Sequence, residues 1–243
     1  MSLDQTTRRA VLAGSTLALG GGSVYYLSRS EDTDDGGSLS PTMHVSEETS
    51  ALGVDLAGKP IMGDSDASIE VYYWTDFQCP ICEQFERETL PKFVSEYVES
   101  GELRLIFVTL PFFGPDSMTS AMASRCVWEQ VHESDPSAYW DWHAAVFAEQ
   151  GERNSGWASA DSLLEITDSV PDIDAAELEA CFDDERSEFE DVVEADAEQA
   201  RAFDIRGTPT FVVFDPETEA AGTLVGAQPL ERFTDALEQI REA

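Results

Sequence analysis

Positive charge is what this chain most lacks. Lysine occurs only at Lys59 and Lys92, and 14 basic residues stand against 49 acidic ones among 243, a formal net charge of −35. A surface so short of cations repels phosphate backbones and anionic lipid headgroups, so nucleic acid is excluded as a partner and basic-patch membrane binding is argued against. Metal-ligating residue types are scarce as well, with three histidines, four cysteines and a single C-x-x-C at Cys79 and Cys82. A structural zinc site takes four ligands, often as two such pairs, so zinc is a weak reading of this one pair, and so is an inert bridge. Residues 1–30 contain no cysteine, which excludes lipid attachment of the lipobox type. Apolar residues are not lacking. At 42% hydrophobic and 10% aromatic, the chain can bury one substantial core, or one domain with a large insertion, and is no disordered acidic tail.

The acids are spread over the whole length rather than gathered in one block, which disfavours a dedicated surface for one basic partner. Concentrated salt shortens the Debye length to a few ångströms and tames such self-repulsion, so the composition reads as that of an extreme halophile. Removing residues 1–30, which hold Asp4, Arg8, Arg9 and Arg29, leaves 48 acidic against 11 basic residues and does not change this reading.

Three regions follow in order. Residues 1–30 place the twin arginine Arg8-Arg9 directly before an apolar run over residues 10–27, the pattern of a Tat-type export signal or membrane anchor. The run sits at the lower edge of the roughly 17–25 residues that span a bilayer, with Tyr25 and Tyr26 as interfacial anchors and Ala18-Leu19-Gly20 as small residues for cleavage. Residues 31–50 turn to Asp, Glu, Gly, Ser and Thr and read as an acidic flexible spacer. The folded part is expected over 51–243.

The centre of that part is Trp74-Thr75-Asp76-Phe77-Gln78-Cys79-Pro80-Ile81-Cys82, where a β-rich run (Ile69 to Trp74) stops and a helical pattern begins. Proline suits the first helical position, because its missing N–H would be unpaired there anyway, which makes Cys79 the N-cap. An N-cap side chain accepts hydrogen bonds from amides two and three residues on, and the helix dipole favours negative charge there, so both effects stabilise a thiolate on Cys79. Residues three apart share a helix face, so Cys82 can close a reversible disulfide with it. The pair reads as a redox-active dithiol in which Cys79 attacks and Cys82 resolves, needing no metal or organic cofactor.

After the helix, which Pro91 is expected to kink, Leu103 to Leu110 reads as a second strand, apolar as in a sheet covered on both faces. Strand, helix and strand make a βαβ unit with Cys79 at the carboxyl end of a central strand. Residues 115–203 are helical in pattern, too long for a crossover. Arg206-Gly207-Thr208-Pro209-Thr210 interrupts them; strands over 211–214 and 222–227 in hairpin relation and an amphipathic helix from Leu230 to about Arg241 follow. The aromatic block Tyr139 to Phe147 has the spacing of a packed core. Phe112-Phe113-Gly114 is expected near the dithiol as an apolar rim, and His44 and His132 receive no role.

Three pieces in this order, Lys59-Pro60-Ile61-Met62-Gly63, Asp76 to Cys82 and Gly207-Thr208-Pro209-Thr210, resemble the DsbA-like thiol:disulfide oxidoreductases. The resemblance covers about Gly58 to the C-terminus. It implies an α/β fold, the thioredoxin fold with an inserted helical subdomain at about 115–203, a cis Pro209 lying against the dithiol, and Thr208 offering backbone groups to an extended polypeptide. One departure stands out: where the family commonly has a buried acid, six residues before the attacking cysteine, this chain has Tyr73. Water, a carboxylate such as Asp76 or the Tyr73 hydroxyl then remain for the proton of Cys82. The dipeptide Pro80-Ile81 lacks the histidine of the most oxidising relatives and, with Glu83 and Glu86 nearby, a less stabilised thiolate is expected. Cys126 and Cys181 complete an even count, and the simplest arithmetic, supported by similar bridges in exported relatives, pairs them; two buried free thiols are the alternative.

The function implied is an exported thiol:disulfide oxidoreductase acting on reduced or disulfide-bonded client polypeptides, with a membrane redox partner. Oxidase is preferred over reductase or isomerase. A Cu(I)-binding metallochaperone is the alternative of another class, since soft thiolates suit that ion, although no Met or His lies near the pair.

Overall fold

The computed structural model describes residues 41–243, so Arg8, Arg9 and the apolar run over residues 10–27 lie outside the described residues. A six-stranded sheet in the order β1-β2-β4-β3-β5-β6 forms the centre. Its strands are β1 (Met43–His44), β2 (Ile61–Met62), β3 (Ile69–Thr75), β4 (Leu103–Thr109), β5 (Thr210–Phe214) and β6 (Ala221–Val225). Only β3 and β4 pair in parallel, and every other neighbour is antiparallel. The parallel pair needs a crossover, supplied by α1 (Pro80–Glu88), α2 (Leu90–Phe93) and a π-helical turn, Val94–Val98. Pro91 is the second residue of a separate helix rather than a kink in a continuous one. It occupies an N-terminal position, and the first helix closes at Thr89.

Side chains alternate across a strand, and β3 therefore feeds two cores. Val71 and Tyr73 join Phe85, Phe107, Phe211 and Phe233 on one face, where α1 and α8 (Leu230–Arg241) pack. Tyr72 and Trp74 join Val54, Leu56, Ala200 and Phe203 on the other. All seven residues of β3 are buried, Glu70 among them paired with Arg104, which explains why the strand shows no alternation of apolar and exposed polar positions.

The chain between β4 and β5 is helical: α3 (Pro115–Val131), α4 (Ala138–Ala148), α5 (Ala160–Asp168), α6 (Ala175–Asp184) and α7 (Arg186–Ala202). A disulfide joins Cys126 in α3 to Cys181 in α6 across a sequence separation of 55. Closing a loop of that length restricts the unfolded chain by about 4 kcal/mol on the entropic account. None of the helices among the described residues is long and apolar enough to cross a membrane.

The structure shortens the spacer. Residues 41–50, expected to be flexible, are folded: Met43 is buried, β1 pairs with β2, and the Gly63 amide donates to the Thr42 carbonyl at 2.8 Å. A two-residue strand carrying one buried side chain leaves no periodicity to read. Gly63 itself must be glycine, since its φ is +112° and an added Cβ would stand 2.8 Å from the Leu103 carbonyl oxygen.

A buried ionic cluster ties the N-terminal segment to the helices. Lys59 Nζ donates to Asp196 Oδ1 at 2.6 Å, and the Arg125 guanidinium binds Asp196 Oδ2 and the carbonyls of Ala57 and Gly58. All three side chains are at most 8% exposed. Burial pulls the Lys59 ammonium below its usual range, and Asp196 pulls it back.

Candidate active site

The site is built at the junction of β3 and α1. Cys79 is the N-cap, extended at φ −86° and ψ 112°; Pro80 stands at the start of α1, and the Cys82 amide donates to Cys79 Sγ at 3.4 Å. Cys79 and Cys82 are both free thiols, 1% and 0% exposed. Across from them, the Thr208-Pro209 peptide bond is cis, and the Cys79 thiol donates to the Thr208 carbonyl at 3.3 Å. The Gly226 amide donates to the Pro209 carbonyl at 2.9 Å, fastening this loop to the end of β6. Ile81 is 43% exposed beside the dithiol.

These surroundings separate the two thiols. A hydrogen bond from the Cys82 thiol is the largest influence on Cys79; burial opposes it, and hydrogen bonds from Thr208 and the amides of Cys82 and Ile81 add to it, bringing Cys79 down from 9.0 to about 6. Burial pushes Cys82 well above 9.0. The sign follows: above pH 6 Cys79 is mainly thiolate while Cys82 stays protonated, and below pH 6 the nucleophile is lost. Iodoacetamide alkylation of the reduced protein, followed by peptide mass spectrometry, is therefore expected to label Cys79 with a midpoint near pH 6 and to leave Cys82 unlabelled at neutral pH. A midpoint near 9 would contradict this geometry. A value of about 6 falls between the roughly 7 of thioredoxin and the roughly 3.5 of the most oxidising relatives. Glu83 and Glu86 act less directly than their sequence positions suggest. Glu83 pairs with Arg87, and Glu86 turns inward.

The turn before Cys79 is held by groups distant in sequence. Asp76 accepts from the amides of Gln78 (2.8 Å) and Phe112 (2.7 Å) and from Ser117 Oγ (2.9 Å). Burial raises its pKa, and those donors oppose the rise. The same bonds bring Phe112 and Phe113 beside the active-site turn, and Phe112 is 50% exposed. Gln78 bridges to Ser117 at 3.0 Å and accepts from the Asn154 amide at 2.6 Å, so the helical insertion clamps the turn.

Tyr73, which stands where the buried acid was expected, is itself buried and stacked on Phe211 at 4.7 Å. Its hydroxyl donates to Glu86 Oε1 at 2.9 Å and accepts from Thr75 Oγ1 at 2.9 Å, and His143 Nε2 lies 3.1 Å from the same Glu86 oxygen. Sequence reasoning placed Glu86 near the dithiol and His143 in the aromatic block, but not the contact between them. The available signal was position, since Glu86 follows Cys82 by four residues and so shares its helix face. His44 Nδ1 bonds the Gly63 carbonyl, and His132 ends α3. Among the described residues no group of three or more His, Cys, Asp or Glu side chains converges to hold a metal.

A dithiol at a helix N-terminus, opposite a cis-proline loop on a sheet with a helical insertion, defines a class, and the chain belongs to the thioredoxin family, whose profile matches residues 56–234. Within it the protein is a DsbA-like thiol:disulfide oxidoreductase. The disulfide bond formation protein D of Bacillus subtilis (strain 168) is 30% identical over 160 residues, covering 66% of this chain and 69% of that protein. The oxidised BdbD crystal structure from Bacillus subtilis superposes with a TM-score of 0.66 at 25% identity, covering 83% of this chain and 100% of that one. Chlamydia trachomatis DsbA shares the fold, with a TM-score of 0.64 at 24% identity over 75% of this chain and 91% of its own.

Proposed function

We propose that the protein is an oxidase that introduces disulfides into exported client polypeptides. The observation that carries this reading is the asymmetry of the pair, with Cys79 at about 6 and Cys82 well above 9.0. Stabilising one thiolate stabilises the reduced form, which makes the disulfide a better oxidant. The similarity to proteins named for disulfide bond formation supports the same direction. In the reaction a client thiolate attacks the Cys79–Cys82 disulfide, releasing Cys82 and leaving a mixed disulfide on Cys79. A second client thiolate then displaces Cys79, so the client is oxidised and the dithiol reduced. The Thr208-Pro209 loop binds the client backbone, with Ile81 and Phe112 as an apolar rim.

Arg8, Arg9 and residues 10–27 support Tat-type export, with the domain secreted or anchored to the outer face of the membrane, where a membrane redox partner reoxidises it. The net charge of −35 supports a working environment of high salt. Equilibration with glutathione buffers in molar salt tests the direction. An oxidase is expected above about −180 mV, whereas a value near −270 mV would make the protein a reductase.

A further inference from the structure

Eight of the eleven lysines and arginines among residues 41–243 stand within ion-pair distance of an Asp or Glu. Arg153 meets no carboxylate among the described residues, and it lies beside the dithiol. Its guanidinium sits over the Phe113 ring, 3.9 Å from the centroid, and the Phe112 ring stands edge-on to Phe113 at 5.1 Å. Attraction to an aromatic face holds a cation in place without neutralising it. The segment that carries Arg153, between α4 and α5, is fastened to the active-site turn on both sides. Gln150 Nε2 donates to the carbonyls of Phe77 at 2.5 Å and Cys79 at 3.3 Å. The Asn154 amide donates to Gln78 Oε1 at 2.6 Å, and Asn154 Nδ2 donates to the Phe113 carbonyl at 2.6 Å. Arg153 is exposed and precedes Asn154, whose partner Gln78 precedes Cys79. Charged groups around it have other partners: Glu83 pairs with Arg87, and Asp116 accepts from the Gly156 amide at 3.0 Å. Arg206, before the Thr208-Pro209 loop, is paired with Asp204. Arg153 is therefore an unneutralised positive charge at the rim of the site.

We propose that Arg153 is a specificity-determining residue that receives a client carboxylate, an Asp or Glu within a few residues of the client cysteine. The inference rests on the reading of the protein as a thiol:disulfide oxidoreductase for polypeptides, and it adds which clients are taken fastest. The net charge of −35 repels an acidic client at long range. In molar salt that repulsion is screened within about 3 Å, whereas a guanidinium and a carboxylate in contact lie inside this distance. The planar fork of arginine matches both carboxylate oxygens. Because Phe113 already holds the guanidinium, less side-chain freedom is lost when the carboxylate arrives. Arg153 makes no bond in the exchange itself; its contact orients the client while the client sulfur meets Cys79.

The test uses the full-length protein in molar salt and three synthetic dithiol peptides that differ only in carrying Asp, Asn or Lys beside the first cysteine. Each peptide is offered reduced to the oxidised protein and oxidised to the reduced protein. Its second-order rate is divided by its own rate with oxidised or reduced glutathione, which removes the effect of the flanking charge on the peptide's cysteine. The Asp peptide is expected to outrun the Lys peptide roughly threefold, the scale of one exposed ion pair, with Asn between them. Arg153→Gln is expected to erase this order and Arg153→Glu to invert it, an exchange of preference that a purely structural side chain would not produce. Net charge alone predicts the reverse, with the Lys peptide fastest in the unaltered protein. That reverse order, equal rates for the three peptides, or an Asp preference that survives in Arg153→Glu would overturn the assignment while leaving the exchange reaction intact. No reaction with any peptide in either direction would overturn the assignment and the functional reading together.

Discussion

Cys82→Ala is expected to convert the protein into a trap: oxidation of a reduced client falls to the uncatalysed rate because no Cys79–Cys82 disulfide can form, while the Cys79 thiolate attacks a disulfide-bonded client, releases one client thiolate and accumulates as a stoichiometric mixed disulfide. The reason lies in the division of labour at the site. Cys79 carries the thiolate at neutral pH and faces the Thr208-Pro209 loop, so its attack on a client disulfide needs nothing from Cys82 beyond a hydrogen bond. The second exchange needs a sulfur within bonding distance of Cys79, and Cys82, three residues along the same helix and 0% exposed, is the residue the fold provides. Losing the Cys82 thiol also removes the largest influence lowering Cys79, so the alkylation midpoint should move upward. Non-reducing electrophoresis of the variant with a reducible client, beside Cys79→Ser, checks the outcome. A variant that turns over normally, or an equally abundant adduct on Cys79→Ser, would mean that the chemistry runs elsewhere.

The largest loss of stability is expected from Asp196→Ala. Lys59 and Arg125 share this one carboxylate, and removing it leaves two buried cations that still occupy the same site. Breaking a buried pair by deleting one partner typically costs about 3–5 kcal/mol, which for a chain of this size lowers the melting temperature by roughly 10 °C. Because Asp196 makes no contact with the dithiol or its loop, activity per folded molecule should persist. Thermal melts in molar salt read the shift, and a change below about 1 kcal/mol would mean that water or another acid already compensates the cations.

Adding Lys59→Met to that variant removes one of the stranded charges and should recover part of the loss. The remaining Arg125 still binds the carbonyls of Ala57 and Gly58, so recovery is expected to be partial.

How much of this was legible beforehand depends on how far apart in the chain the cooperating groups lie. The β3–α1 junction could be read residue by residue, because capping, the first-turn proline and the three-residue spacing of the cysteines are local rules acting within nine residues, Trp74 to Cys82. The order of strands and helices was readable for a similar reason: hydrophobic period reports which faces are covered, and in β3 and β4 both are. β1 was not, since one buried methionine in two residues carries no period.

The hydrogen-bond network around Glu86 and the ionic lock were hidden for a different reason. Among 49 acidic residues, Glu86 and Asp196 look like any other, and composition alone places all of them in solvent. What distinguishes them is closure over long sequence distances, 57 residues from Glu86 to His143 and 137 from Lys59 to Asp196. The nucleophile, its helix and the βαβ frame follow from local rules, because short-range sterics and hydrogen bonding act wherever that segment folds. Which carboxylates are withdrawn from water follows only from the packed chain, because burial belongs to the assembly of elements and no single residue carries it.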